Sequence, residues 1–515
     1  MTASLRPAPG SRFFGGPERA GVASGLLLVA AAPPSPLPLL SLGALAPLLL
    51  ALSRLPTGPQ GRQRALRAGV VHGFVAWGLL LLWMPQASVR VGVWLAAGWL
   101  AVVSTLALLS GLAAVIVHHL AGRRGVGLPL AAALGWGGVE WIRTAWLGPL
   151  DFPWMSLALP LAGVPELIQG AAWVGEIGVS LAVAAANGAL AGALPDPRRH
   201  RRRLALLGGA VAVVFAAGAV RMSRAPTERV VRARLVQPAV PLAVKRGDPA
   251  LALEASIRAI DAVLPPPGPP MAPAVGGDLV VLPETALPTV LDGPEAGEVR
   301  AQVAAWARRM GAPVLVGAWA DGPGRGANAV VLADRDPEGA WPVSWKHRLV
   351  PGVEWIPGGA SVARGDPRVL PLASGPTLGP LICIESAGPE PARALVRAGA
   401  EVLVNVTNDN WLGERPWWTR SAAWHQHPAH LVFRAVELGV GALRVGNNGS
   451  TEVVDPVGRR ERVVAPRVAG HGVADAVRLV EPTAFTRLGP IAGVVAVALA
   501  LLLSLLPAAR TVDPA

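Results

Sequence analysis

The sequence predicts a polytopic α-helical membrane protein of about eight spanning helices with one inserted α/β block. Three observations point there. Of 515 residues 52% are apolar and only 15% charged, against roughly 25% charged in soluble domains, and the mean hydropathy is +0.45. The apolar residues are unevenly spread, crowding 21–220 and 489–507. Between those runs lie short arginine clusters, so the net charge of +13 is a topology signal and not a nucleic-acid footprint. A single cysteine excludes an intrachain disulfide framework and any multi-cysteine metal site.

Runs near the roughly 20 residues a helix needs to cross the hydrocarbon occur at 37–55, 68–84, 91–117, 126–147, 170–193, 204–220 and 489–507. A shorter run, Gly21–Ala32, is read as a first helix turning at Pro33, Pro34 and Pro36; a re-entrant segment or signal-peptide core is the other reading. Clusters at Arg6–Arg19, Arg54–Arg67, Arg123–Arg124, Arg198–Arg203 and Arg510 put fifteen arginines on one side, against Arg90 and Arg143 on the other. The positive-inside rule then places both termini in the cytoplasm and the middle of the chain outside it. The expected division is a helical bundle over 1–220, an extracytoplasmic domain over 221–487, and a last helix with a short tail over 488–515. Glu140 and Arg143, one turn apart, are expected to neutralise each other at the membrane interface, with Phe152-Pro153-Trp154 as an aromatic anchor beside them.

From Val230 the texture changes. Strand-like runs at 230–236, 278–282, 312–317, 328–333, 379–384, 401–406, 441–445 and 451–455 alternate with helical patterns at 250–263, 296–310, 389–398 and 420–438. Pro265–Gly277 is a spacer and Gly322–Gly326 a turn. About 260 residues of this kind can bury one sizeable α/β core.

Three features of the block could carry chemistry. Cys383 ends the apolar run Leu381-Ile382-Cys383-Ile384; alone, such a cysteine is more often an inert small hydrophobe than a nucleophile. Of 46 basic residues only Lys245 and Lys346 are lysine, which marks two places where a compact ammonium does what a guanidinium cannot. Glu284 lies in Leu282-Pro283-Glu284-Thr285, just beyond an apolar strand, where sites in α/β folds gather.

In that order, LPETALP around Glu284, SWKHRLVPGVEWIP around Lys346 and LICIES around Cys383, the block resembles the nitrilase (carbon–nitrogen hydrolase) superfamily. Within it the chain is similar to the apolipoprotein N-acyltransferase family. TNDNWLG at Thr407–Gly413, RAVELG at Arg434–Gly439 and RVGNNGSTEVVDPVG at Arg444–Gly458 carry that likeness, as do EWIR at Glu140–Arg143 and DFPW at Asp151–Trp154. The resemblance implies an α-β-β-α sandwich on an eight-helix bundle, in the bacterial cytoplasmic membrane with the catalytic domain on the outer face. The implied reaction moves an acyl chain from a phospholipid, through a thioester on Cys383, to the free amino group of a diacylglyceryl-cysteine lipoprotein N-terminus. Glu284 would be the general base, Cys383 the nucleophile, and Lys346 with the Ile384 N–H the oxyanion stabiliser. Glu354 and Glu385 would orient the lysine and its neighbours, and Trp355, Trp411 and Trp417 would line the acyl or headgroup entrance, or else serve the core or interface.

No cofactor and no metal are implied, the protein is expected to work as a monomer, and its partners are the phospholipid donor, the lipoprotein acceptor and the bilayer. His425, His427 and His430 are loosely spaced like metal ligands, but Pro428 interrupts them, and a surface or packing role is expected instead. The chain departs from the family where Ile384 follows the nucleophile in place of an aromatic, where Trp355 follows Glu354, where Gly352-Val353 replaces Phe-Gly, and where Arg246 replaces the tryptophan after Lys245. Two alternatives stay open on sequence: a membrane-tethered amidase, disfavoured because tethering needs one helix, and a catalytically decayed lipid-binding scaffold.

Overall fold

The computed structural model describes residues 16–85, 94–145, 151–266, 278–293, 296–320, 327–350, 354, 367–373, 375–412 and 417–505. Arg6, Arg12, Arg90, Arg510, Gly352-Val353, the Gly322–Gly326 turn and most of the Pro265–Gly277 spacer lie outside the described residues.

The N-terminal part is helical: α1 Gly16–Ala31, α2 Ala46–Ser53, α3 Pro59–Leu80, α4 Trp94–His118, α5 Leu128–Ala132, α6 Gly138–Ala145, α7 Ala171–Ala193 and α8 Arg201–Arg224. Helix α3 packs between α1 and α4, and small residues permit the approach: a Cβ on Gly69 would stand 2.6 Å from the Ser110 carbonyl oxygen. Three described helical stretches, Ala96–Arg123, Ala171–Ala193 and Arg201–Arg224, are long and apolar enough to cross a membrane, with shorter apolar helices at Pro38–Ser53 and Ile491–Leu505. The other sequence runs fall short for visible reasons. Most of the 68–84 run belongs to α3, which ends at Leu80 and whose first half carries Arg62, Arg64 and Arg67. The 126–147 run is divided between α5 and α6 by a wide π turn at Ala133–Gly137. Helix α8 turns Leu206, Val213, Val214, Phe215 and Val220 outward, the surface expected of a helix against lipid.

The strands are β1 Thr227–Gln237, β2 Asp278–Val281, β3 Val314–Ala320, β4 Ala327–Ala333, β5 Val343–Trp345, β6 Leu370–Pro371, β7 Thr377–Ile382, β8 Val402–Thr407, β9 Ala442–Gly446, β10 Thr451–Val454, β11 Arg460–Val464 and β12 Gly470–Leu479. They form two six-stranded mixed sheets, ordered β12-β1-β2-β3-β4-β5 and β11-β10-β9-β8-β7-β6. Strands β1, β2 and β3 are parallel, as are β7, β8 and β9. The sheets face each other across Val231, Leu235, Leu279, Val281, Leu378, Val404, Val406 and Val445, so both are buried on two faces and their strands read as nearly continuous apolar runs. Outside the first sheet lie α9 Leu242–Lys245, α10 Pro249–Val263 and α11 Gly297–Met310, the last two closing on Val280, Val314 and Val316 through Ile260, Val303 and Trp306. Outside the second lie α12 Pro389–Arg397 and α13 Trp417–Leu438. Their apolar faces join one continuous core with the bundle. The sandwich therefore rests on the bundle through its second helix layer, before α14 Ala484–Leu488 and α15 Ile491–Leu505 return to it. The sequence pattern does not show β5, β6, β11 or β12, which are short or carry charges that break the apolar run.

Candidate active site

Three strand ends converge on one buried cluster. Glu284 leaves β2, Lys346 leaves β5 and Cys383 leaves β7, each at the C-terminal end where open α/β sheets gather their sites. The Glu284 loop presses so closely on β3 that a Cβ at Gly317 would stand 2.3 Å from the Pro283 carbonyl oxygen, so only glycine fits. Lys346, 1% exposed, holds its Nζ 2.9 Å from Glu284 Oε1 and 2.8 Å from Glu354 Oε1. Asn328 on β4 donates to the same two oxygens, at 2.7 and 3.3 Å. The Asn408 N–H donates to Glu284 Oε2 at 2.8 Å, fixing both carboxylate oxygens. Burial alone would lower the Lys346 ammonium, but the carboxylates of Glu284 and Glu354 reverse this and raise it well above its usual value. It is a fixed positive charge throughout neutral pH.

Lys245 acts on the backbone instead. Its Nζ donates to the Thr285 carbonyl at 2.9 Å, steadying a residue at φ +47° beside Glu284. Burial, only partly offset by Glu284, brings it down to about 7.

Cys383 opens a 310 turn, Cys383–Ser386, directly after β7, and takes φ +55°. A non-glycine residue there costs of the order of 1–3 kcal/mol, and the surroundings hold it. Its carbonyl accepts from His427 Nε2 at 3.0 Å, Asn405 Nδ2 at 3.2 Å and Ser386 Oγ at 3.2 Å. Glu385 ties the turn to the lysine loop, accepting the His347, Arg348 and Ile382 N–H groups at 2.7, 3.0 and 2.7 Å. Burial and then the Glu284 charge push the Cys383 thiol well above its ordinary value, with Lys346 opposing them. The resting thiol is therefore protonated at neutral pH and needs a base. Its alkylation by iodoacetamide should keep rising with pH through 9 with no plateau between 6 and 8; a plateau in that range, measured by mass spectrometry, would show a preformed thiolate.

The bundle reaches this site through the loop that follows α6. Arg143 donates to the carbonyls of Phe152, Trp154 and Met155, and Glu140 accepts the Leu157 N–H at 3.0 Å. The pair thus does more than neutralise itself, since both charges grip one loop. Nor is Trp154 an interfacial anchor: it is 3% exposed, its ring 5.7 Å from His427 and 5.4 Å from His430. Farther along the contact, Arg434 of α13 is fully buried between Glu176 of α7 at 2.6 Å and Glu437 at 3.0 Å. Arg434→Met would leave two carboxylates without their cation and cost about 3–5 kcal/mol. The expected result is a markedly lower melting temperature in detergent, partly recovered by adding Glu437→Gln.

Of the expected site residues, Glu284, Lys346, Cys383, Glu354, Glu385 and Ile384 are brought together. Trp355 lies outside the described residues, as do the side chains of Trp411 and Trp417. Ile384 buries its side chain in the core shared with the bundle. Residues not singled out for the site also build it. Asp409, fully buried, accepts from Thr407 Oγ1 at 3.0 Å, faces His427 Nδ1 at 3.1 Å and pairs with Arg444 Nη2 at 2.8 Å. Burial would raise its carboxyl, but Arg444 and His427 hold it well below the usual range. His427 and His430 are buried, not at the surface, and His427 has polar partners on both ring nitrogens. The TNDNWLG and RVGNNGS stretches held the signal for Asp409 and Arg444; Asn328 stood in an unremarkable apolar strand.

Residues 24–189 match the model of the apolipoprotein N-acyltransferase N-terminal domain, and residues 232–465 match that of the carbon–nitrogen hydrolases. A curated apolipoprotein N-acyltransferase of Gloeobacter violaceus is 31% identical over 497 residues, 90% of this chain and 88% of the relative. One from Geobacter metallireducens is 29% identical over 475 residues, 85% of each chain. Among solved structures, a CN-hydrolase superfamily protein from Xanthomonas campestris aligns at a TM-score of 0.34 and 20% identity, covering 48% of this chain and 90% of that one. With both family models matched in their order along the chain and a relative of this identity spanning nearly its whole length, the chain belongs to the apolipoprotein N-acyltransferase family.

Proposed function

We propose that the enzyme transfers a fatty acyl chain from a phospholipid to the α-amino group of a diacylglyceryl-cysteine lipoprotein by two steps through Cys383. In the first, Glu284 takes the thiol proton, the thiolate attacks the ester carbonyl, and the oxyanion forms beside Lys346 and the Ile384 N–H. Collapse breaks the ester bond; the departing lysophospholipid oxygen takes the proton back from Glu284, leaving a thioester. In the second, the acceptor amine attacks that thioester, Glu284 removes an amine proton, and the thiolate leaves and is reprotonated as the amide forms. Excluding water between the steps protects the thioester from hydrolysis.

The observation that carries this reading is the buried Lys346 ammonium clamped by Glu284 and Glu354, beside a cysteine whose thiol is shifted first by burial and then by the charges of these same groups. The proposed frame is an eight-helix bundle over 1–220 and 488–515 in the bacterial inner membrane, both termini cytoplasmic, with 221–487 on the outer face and the chain acting as a monomer. The arginine asymmetry supports it, and so does the shared core that seats the sandwich on the bundle.

Intact-protein mass spectrometry after incubation with phospholipid vesicles tests the reading. The expected result is a fatty-acyl increment that a diacylated Cys-terminal peptide discharges with formation of the N-acyl peptide. Absence of an increment with every phospholipid tried, together with hydrolysis of small amides, would overturn it in favour of an amidase.

A further inference from the structure

We propose that His427 is a positioning residue that aims the oxyanion-binding N–H of Ile384 by holding the preceding carbonyl, a role that rests on the acyl-enzyme reading above. The peptide joining Cys383 to Ile384 is planar and trans, so its C=O and N–H point in opposite directions. Whatever fixes the Cys383 carbonyl therefore fixes the Ile384 N–H. Ile384 is the second residue of the 310 turn, ahead of the first N–H that such a turn can satisfy internally, so its proton is available to a ligand. The Cys383 carbonyl can only accept, so across the 3.0 Å approach His427 donates in the form that carries a proton on Nε2, with Ser386 Oγ as that nitrogen's other neighbour at 3.3 Å. The opposite nitrogen is served in either state: Nδ1 lies 3.1 Å from Asp409 Oδ1, to which it can donate, and 3.2 Å from Arg444 Nη2, from which it can accept.

Two other donors, Asn405 and Ser386, reach the same oxygen, but both belong to the sheet and turn that carry the cysteine. His427 comes from α13, a separate element, and is backed by the bundle. The Trp154 indole lies 5.7 Å from its ring and donates through Nε1 to Gln426 at 2.8 Å. Trp154 is in turn held by Arg143, which donates to its carbonyl at 2.8 Å. The seat of the membrane bundle on the sandwich is thus transmitted, through one imidazole, to the donor that would stabilise the transition state. This gives the Phe152–Leu157 segment a reason to be gripped by two buried charges.

The test compares wild type with His427→Leu in the full-length protein in phosphatidylethanolamine-containing vesicles, following Cys383 acylation in a single turnover. Iodoacetamide alkylation of the same thiol is measured in parallel, because that displacement builds no oxyanion. A misaimed donor should slow acylation about 10²–10³-fold, with the phospholipid KM and the alkylation rate little changed. Equal acylation in His427→Leu and wild type would overturn the inference, and so would a parallel fall in acylation and alkylation, which marks general disorder of the elbow. If the leucine variant does not fold, His427→Gln and His427→Asn decide. Glutamine places an N–H where Nε2 stood and should retain acylation, whereas asparagine is too short and should not; equal rates in the two would also overturn it. Wild type that forms no acyl-Cys383 at all would instead overturn the acyl-enzyme reading, so the two failures are distinguishable.

Discussion

Cys383→Ser should fold normally and form no detectable acyl-enzyme, with lipoprotein acylation reduced on the order of 10⁴–10⁶-fold, the scale on which a lost nucleophile is felt. The substitution changes one atom in a site that is 3% exposed, so the turn, its φ of +55° and its carbonyl donors have no reason to move. What changes is the chemistry. Burial and the Glu284 charge already hold the cysteine thiol protonated, and the same forces act on a hydroxyl whose proton is far harder to remove. Glu284 can share a thiol proton as the thiolate forms, but a carboxylate is too weak a base to do so for an alcohol. Single-turnover mass spectrometry with labelled phospholipid measures the effect, and a melting temperature near that of wild type shows the loss is chemical. Undiminished acylation by the serine variant would remove Cys383 from the mechanism.

The apolar architecture is legible in the sequence because its signals are local. Strands buried on both faces, such as β2 and β3, appear as nearly continuous apolar runs, and α10 and α11 announce themselves by period. Lys346 stands out because arginine fills nearly every other basic position. Roles that depend on distant partners are harder to see. Nothing in the order of residues says that Asn328, near the start of β4, will bridge two carboxylates 44 and 26 residues away. Glu140 and Arg143 look paired because they lie one turn apart, yet the folded chain spends both on the Asp151–Leu157 region, which no helical spacing foretells. The histidines of α13 escape a surface reading for a related reason. Spacing alone does not separate metal ligation from packing, and the use made of His427, one ring nitrogen on an aspartate and the other on the Cys383 carbonyl, needs three elements in place at once.

Lys346→Met is expected to damage activity severely, if less than Cys383→Ser, and to damage stability more. The ammonium lies within 3 Å of one oxygen from each of Glu284 and Glu354, and these two oxygens also share the Asn328 amide. Without the cation two buried carboxylates face each other, and like charges so placed cannot both stay ionised, so the pair takes up a proton. That proton falls where the thiol proton must go, and the oxyanion loses its nearest positive charge at the same time. Losing the oxyanion contribution alone costs about 10²–10³ in rate, and the compromised base adds to it, so a fall of at least about 10³ is expected in single-turnover acylation. Removing one member of a buried ion cluster costs about 3–5 kcal/mol of stability, visible as a lower melting temperature. Adding Glu354→Gln to Lys346→Met should restore much of that stability by removing the like-charge pair, while acylation stays low because the oxyanion charge is still missing. Lys346→Arg should not rescue, since a planar fork cannot occupy a point between two fixed carboxylates. Recovery of acylation in the double variant would show that Lys346 serves only to hold Glu284 in place.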